Sequence, residues 1–226
     1  EKADYSYNYK ISTDVIRSTS VSFYEHVNNQ DTPETDDDVT TLERAEDALA
    51  DDALKMSVSY KGLKDVALVT DGQTGAGNQL LRTTKTYFKG QEGDEKADYS
   101  YNYKVSTDVI RSTSVSFYEH LNDQGTPDTS DDTTSLERAD RASTGDPLKK
   151  SETFKVQDVS DINSDPNDAV ADNILSATYF VGDEGDEKAD YSYNFKLGDV
   201  RVIKSTSVNF YEHVNNQDTP ETDDDV

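Results

Sequence analysis

"EKADYSYNYK" (Glu1–Lys10) recurs unchanged at Glu95–Lys104 and, with one Tyr→Phe change, at Glu187–Lys196. Within it Tyr5, Tyr7 and Tyr9 alternate with Ser6, Asn8 and Lys10. A period of two puts the rings on one face of a β-strand and the polar residues on the other. The same rows are Tyr99, Tyr101 and Tyr103 in the second occurrence and Tyr191, Tyr193 and Phe195 in the third. These aromatic rows are read as core.

Other stretches repeat the pattern. "DVIRSTSVSFYEH" (Asp14–His26) sets Val15, Thr19, Val21 and Phe23 against Ile16, Ser18, Ser20 and Ser22. "LKMSVSYK" (Leu54–Lys61) sets Leu54, Met56, Val58 and Tyr60 against Lys55, Ser57, Ser59 and Lys61. Val, Thr, Tyr and Phe also suit a pleated, half-buried surface.

The recurrence defines three copies: residues 1–94, residues 95–186 and a partial copy over 187–226. Copies one and two rejoin after a divergent middle at "YFKGQEGD" (Tyr87–Asp94) and "YFVGDEGD" (Tyr179–Asp186). The final "VNNQDTPETDDDV" (Val214–Val226) reproduces Val27–Val39. The window therefore reads as an excerpt of a longer periodic molecule. Tyr24, Tyr60, Tyr87 and Tyr118 suggest a finer spacing of about 31 residues.

Turn chemistry lies between the strands. Gly, Asn, Asp and Pro crowd "NNQDTPETDDD" (Asn28–Asp38), "DGQTGAG" (Asp71–Gly77) and "GQEGDE" (Gly90–Glu95). The last of these, with its flanking aromatic strands, predicts a β-hairpin. Copy three has "KLGDVRVIKS" (Lys196–Ser205) for "KISTDVIRS" (Lys10–Ser18), one residue longer. That residue belongs in a loop, because a slip within a strand turns every side chain to the wrong face. Residues 42–53 are rich in Ala, Leu and Glu, which favour a helix. Their counterpart is broken by Gly145 and Pro147, so a short strand near Thr40–Arg44 followed by a variable loop is expected.

Composition bounds the fold. Apolar residues are 32%, charged residues 31%, and the formal net charge is −25. Leu, Ile, Val and Phe together fall just short of the roughly 20% below which a highly charged chain is usually disordered. The in-register alternation argues for order instead. A stacked array needs only a thin core, since each repeat buries its apolar face against the next. The expectation is all-β: an elongated tandem array of antiparallel β-hairpin repeats, solenoid- or fibre-like.

The acidity argues against nucleic acid, whose phosphates need clustered Lys and Arg, and against an anionic membrane surface. No run has the length of a transmembrane helix. With no Cys there are no disulfides, which suits a long surface polymer and equally a reduced cytosol. An extracellular or cell-surface location is expected.

Strands ending in "TYFKG" (Thr86–Gly90) and "SFYEH" (Ser22–His26), each followed by a Gly- or Asp-rich turn, resemble the tyrosine-rich YD-type hairpin repeats of Rhs and teneurin proteins. They are similar too to repeat regions of very large bacterial surface proteins. The resemblance implies a β-hairpin array. A YDxxGR core is missing and the repeat is longer, which favours a rod or fibre over that family's closed shell.

Candidate chemistry is sparse. His26, His120 and His213 hold one repeated position, "FYEH", and read as solvated strand ends rather than ligands converging on a metal. Asp31, Glu34, Asp36 and Asp38, with their duplicates Asp218, Glu221, Asp223 and Asp225, supply hard oxygen donors of the kind Ca²⁺ takes. Their spacing matches neither an EF-hand nor a calcium β-roll. Ser and Thr on the polar faces are candidate acceptors of O-linked glycans. No catalytic motif is found, so no enzyme is expected. The leading reading is a structural repeat region of an extracellular fibre, stalk or appendage that pairs with adjacent repeats or identical chains. The alternatives are an adhesin-type repeat stacking sugars on tyrosine, and a segment of an Rhs-like encapsulating shell.

Overall fold

A computed structural model describes residues 1–28, 39–63, 65–69, 81–123, 125, 130–155, 158–162, 173–198 and 201–212. They form one open antiparallel sheet of twelve strands, with no α-helix among the described residues. In chain order these are β1 (Tyr5–Tyr9), β2 (Ile16–Asn28), β3 (Val39–Glu43), β4 (Ala53–Lys61), β5 (Arg82–Lys89) and β6 (Lys96–Tyr103). They continue with β7 (Ile110–Asn122), β8 (Thr133–Glu137), β9 (Leu148–Phe154), β10 (Ile174–Val181), β11 (Lys188–Phe195) and β12 (Ile203–Val208). The spatial order is β1-β2-β4-β5-β6-β7-β9-β10-β11-β12, with β3 on β2 and β8 on β7.

Tyr24 and Glu25 pair with both β3 and β4, so these two strands lie on opposite edges of β2. The chain thus folds back as β3 and then rounds the end of β2 to start β4. The ambiguous stretch at 42–53 is therefore strand followed by turn. Asp52 fixes that turn by accepting the Leu49 N–H at 2.7 Å, as Asp146 accepts that of Ser143 at 2.7 Å.

The faces follow the alternation with two corrections. Strict alternation places Ile16 with the serines, but a bulge after Asn8 sets Tyr9 opposite Ile16 and turns that side chain to the aromatic face. Val15 precedes the strand and is largely exposed, so it does not join Thr19, Val21 and Phe23. A second bulge, between Phe23 and Tyr24, lets two consecutive rings be buried. Nor is the spacing of about 31 residues a structural unit. Tyr60 and Tyr87 sit on antiparallel neighbours in unlike registers, Tyr60 facing Arg82 and Tyr87 facing Met56.

The core is thin and one-sided. Val21, Phe23, Met56, Val58 and Tyr60 cluster beneath Leu63 and Val69 of the β4–β5 connection. Val115, Phe117, Phe154, Ile174 and Ala177 cluster beneath Ile162 of the β9–β10 connection. Each connection makes a 3-10 turn, Val66–Leu68 and Val159–Asp161, capped by Asp65 and Asp158. Buried Thr19 is kept in the core by donating to the Leu63 carbonyl at 2.5 Å.

The predicted hairpin joins β5 to β6, and a matching one joins β10 to β11. The added residue of copy three lies between β11 and β12, and the strand register is preserved: Tyr193 faces Thr206 as Tyr7 faces Thr19. Gly182 in the second hairpin has φ +115°, and a Cβ there would lie 2.6 Å from the Asp186 carbonyl oxygen. Gly182→Ala is expected to cost about 2–3 kcal/mol through backbone strain and this clash, measured as a lowered urea midpoint.

Candidate functional site

The aromatic rows lie on the core face and meet across the hairpins. Tyr87 stacks on Tyr99 with ring centroids 4.6 Å apart, and Tyr179 stacks on Tyr191 at the same separation. Tyr101 and Tyr193 each add an edge-on contact to these pairs. Tyr99, Tyr101, Tyr103, Tyr191 and Tyr193 are half-buried, and Phe195 is buried. The expectation of buried rings fails in the first row, where Tyr7 is half-buried but Tyr5 and Tyr9 are 45% and 54% exposed. The reason is position. β1 ends the sheet, whereas β6 and β11 each have a strand on both sides.

Burial sets the ionisation of these phenols. Loss of solvent, reinforced by Tyr103 and Tyr101, pushes Tyr87 up to about 12. Burial, with Asp98 and Glu187 nearby, takes Tyr118 to about 12 as well. Tyr99 is raised by burial and by Tyr87. A raised folded pKa contributes stability that is complete below the unfolded value near 10 and disappears as pH climbs through about 12. Absorbance titration at alkaline pH is expected to show late-ionising tyrosines whose transition coincides with loss of β-sheet circular dichroism.

The opposite face is a carpet of hydroxyls. One row crosses nine paired strands through Ser22, Ser57, Thr86, Ser100, Ser114, Thr153, Ser176, Asn194 and Ser205. Neighbouring hydroxyls bond across strands: Ser20 to Ser59 at 2.9 Å, Thr86 to Ser100 at 2.8 Å, and Ser114 to Thr153 at 3.0 Å. Such pairs are the unit of sheet stabilisation.

His26 and His120 are not solvated strand ends. His26 Nδ1 lies 3.3 Å from the Asp52 carboxylate and His120 Nδ1 lies 2.9 Å from Asp146, the aspartates that cap the turns before β4 and β9. They tie the end of a long strand to the turn that rounds it. His213 and all eight acidic-loop residues, Asp31, Glu34, Asp36, Asp38, Asp218, Glu221, Asp223 and Asp225, lie outside the described residues. Among the described residues no group of three or more His, Cys, Asp or Glu is placed to hold a metal ion. No helix among them is long and apolar enough to cross a membrane.

Charges buried within the sheet are what the alternation pattern missed. Lys150 and Glu152 take the places of Met56 and Val58, yet both are buried and pair at 2.7 Å. Arg201, from the β11–β12 loop, reaches back to Glu152 at 2.9 Å. In the preceding copy Arg82 stands where Ile174 stands later. It pairs with Asp108 of the β6–β7 loop and lies 4.0 Å above the Tyr103 ring. Asp108 corresponds to Arg201 and Tyr103 to Phe195. The one Tyr→Phe change in the repeated decapeptide thus falls where the neighbouring strand exchanges Arg82 for Ile174. Aligning the copies position by position, rather than reading each strand alone, exposes this signal.

Comparison with protein-family models, curated proteins and solved structures finds no match to this chain.

Proposed function

We propose that the chain is the structural repeat region of an extracellular fibre, stalk or surface appendage, in which length and surface are the function. The observation that carries this reading is strand pairing across both copy boundaries. β5 bonds to β6 and β10 to β11, so the backbone ladder passes from one sequence copy to the next without a break. The stacked tyrosines and the Arg82–Asp108 and Arg201–Glu152 pairs reinforce those same boundaries.

On this reading the repeats form an elongated tandem array, and the high negative charge keeps it soluble. The tyrosines serve as cross-boundary packing, since the rings on interior strands are turned onto one another and the core. Electron microscopy of the native material tests the proposal. Thin filaments or rods of uniform width are expected; hollow closed particles would transfer the chain to the shell reading, and discrete globules would end the fibre reading.

A further inference from the structure

The two boundaries between copies carry different recognition chemistry, and the open edge at β1 carries one of the two. At the β5–β6 boundary, Tyr103 and Asp108 receive Arg82, while Tyr99 receives the Tyr87 ring. At the β10–β11 boundary, Phe195 joins the apolar cluster that holds Ile174, and Arg201 goes to Glu152 one strand further in. The residues on the later side of each boundary therefore match the residues on the earlier side. Tyr with Asp meets arginine; Phe with Arg meets isoleucine and a buried glutamate.

Copy one carries the first set with no strand beside it among the described residues. Tyr5, Tyr9 and Asp14 occupy the positions of Tyr99, Tyr103 and Asp108. Tyr5, Tyr9 and Asp14 are all exposed. Asp14 has no ion-pair partner among the described residues. Among the described residues β1 is hydrogen-bonded to β2 alone, so its outer edge here presents unpaired backbone donors and acceptors.

We propose that the β1 edge is a docking site for an arginine-bearing strand of the Arg82–Lys89 type, from a further copy of this repeat. This rests on the reading of the copies as a strand-paired array, and it specifies which kind of neighbour the array accepts at this end. The strand adds antiparallel to β1 in the register that β5 takes on β6. Its tyrosine stacks on Tyr5, its Thr86 position faces Ser6, its Lys85 position faces Tyr7, and its arginine covers Tyr9 and pairs with Asp14. Main-chain bonds supply the affinity, and the arginine supplies the choice of partner.

The test uses the intact chain and two dye-labelled peptides, one with the sequence Leu81–Gly90 and one identical except for Arg82→Ile. Fluorescence anisotropy is expected to show saturable binding of the arginine peptide, weaker by roughly fivefold for the isoleucine peptide. Asp14→Asn in the chain removes that preference without changing circular dichroism, since Asp14 is an exposed loop residue. Equal binding of both peptides to the unaltered chain would overturn the charge recognition while leaving strand addition, and the array, standing. Binding of neither peptide would overturn the docking site, and the microscopy above would then decide the array by itself.

Discussion

Glu152→Ala is expected to lower stability by about 3–5 kcal/mol, seen as an early transition in urea unfolding followed by tyrosine fluorescence. Glu152 is 1% exposed and is the shared acceptor for Lys150 and Arg201. Removing it takes the carboxylate at 2.7 Å from the Lys150 ammonium, which is 4% exposed and lies on the same sheet face as Phe117 and Tyr179. The cost is that of taking the bonded carboxylate from a buried charge rather than the net worth of the pair. A second variant separates the two. Lys150→Met with Glu152→Val installs the residues that copy one carries at Met56 and Val58, where the same sheet position is filled by a well-packed apolar pair. Replacing a buried ion pair by apolar residues of similar size is neutral or stabilising by about 1–4 kcal/mol. The double variant is therefore expected to match or exceed the parent, while Arg201 loses its bond to Glu152. If the double variant fell as far as Glu152→Ala, the pair would be a net source of stability in its own right.

What could be read from the sequence was local and periodic. Tyr5, Tyr7 and Tyr9, or Met56, Val58 and Tyr60, announce a strand because side-chain direction alternates with every residue. Gly90 and Gly182 announce the hairpins because they take left-handed backbone, φ +112° and +115°. The β3 strand was legible once Gly145 and Pro147 had weakened a helix. The bulges at Tyr9 and Tyr24 were not, because each is a mismatch between two strands and leaves no mark in either alone. His26 and Asp52 are brought together by the way the chain rounds the end of β2, so neither side chain announces the contact. Lys150 and Glu152 give no sign of burial in the sequence, because a charged residue is almost never fully buried unless paired, and Arg201, their third partner, belongs to the next copy. The exposure of Tyr5 against the burial of Tyr99 is the clearest limit. The decapeptide is identical, and what differs is the strand beside it.

The same dependence on a neighbour sets the expected difference between Asp98→Ala and Asp4→Ala. These aspartates are equivalent residues of copies two and one, and each pairs with an arginine at the end of the short strand, Arg138 or Arg44. The Asp98 side chain is 6% exposed, covered by the adjacent copy; that of Asp4, beside the open edge, is 29% exposed. Arg44 also donates to the carbonyls of Val66 and Val69, at 3.0 Å each, so it keeps two acceptors when Asp4 is removed. Arg138 has its bond to Asp98 at 2.6 Å and, among the described residues, donates to no such pair of carbonyls. Asp98→Ala is therefore expected to cost about 2–3 kcal/mol, and Asp4→Ala about 1–2 kcal/mol, because the half-buried Arg138 guanidinium loses its carboxylate while Arg44 is still held. Urea unfolding of the two variants side by side measures the gap. Equal losses would mean that the covering copy adds nothing to the pair. A larger loss at Asp98 gives the combined contribution of the covering copy and of the two carbonyls that hold Arg44.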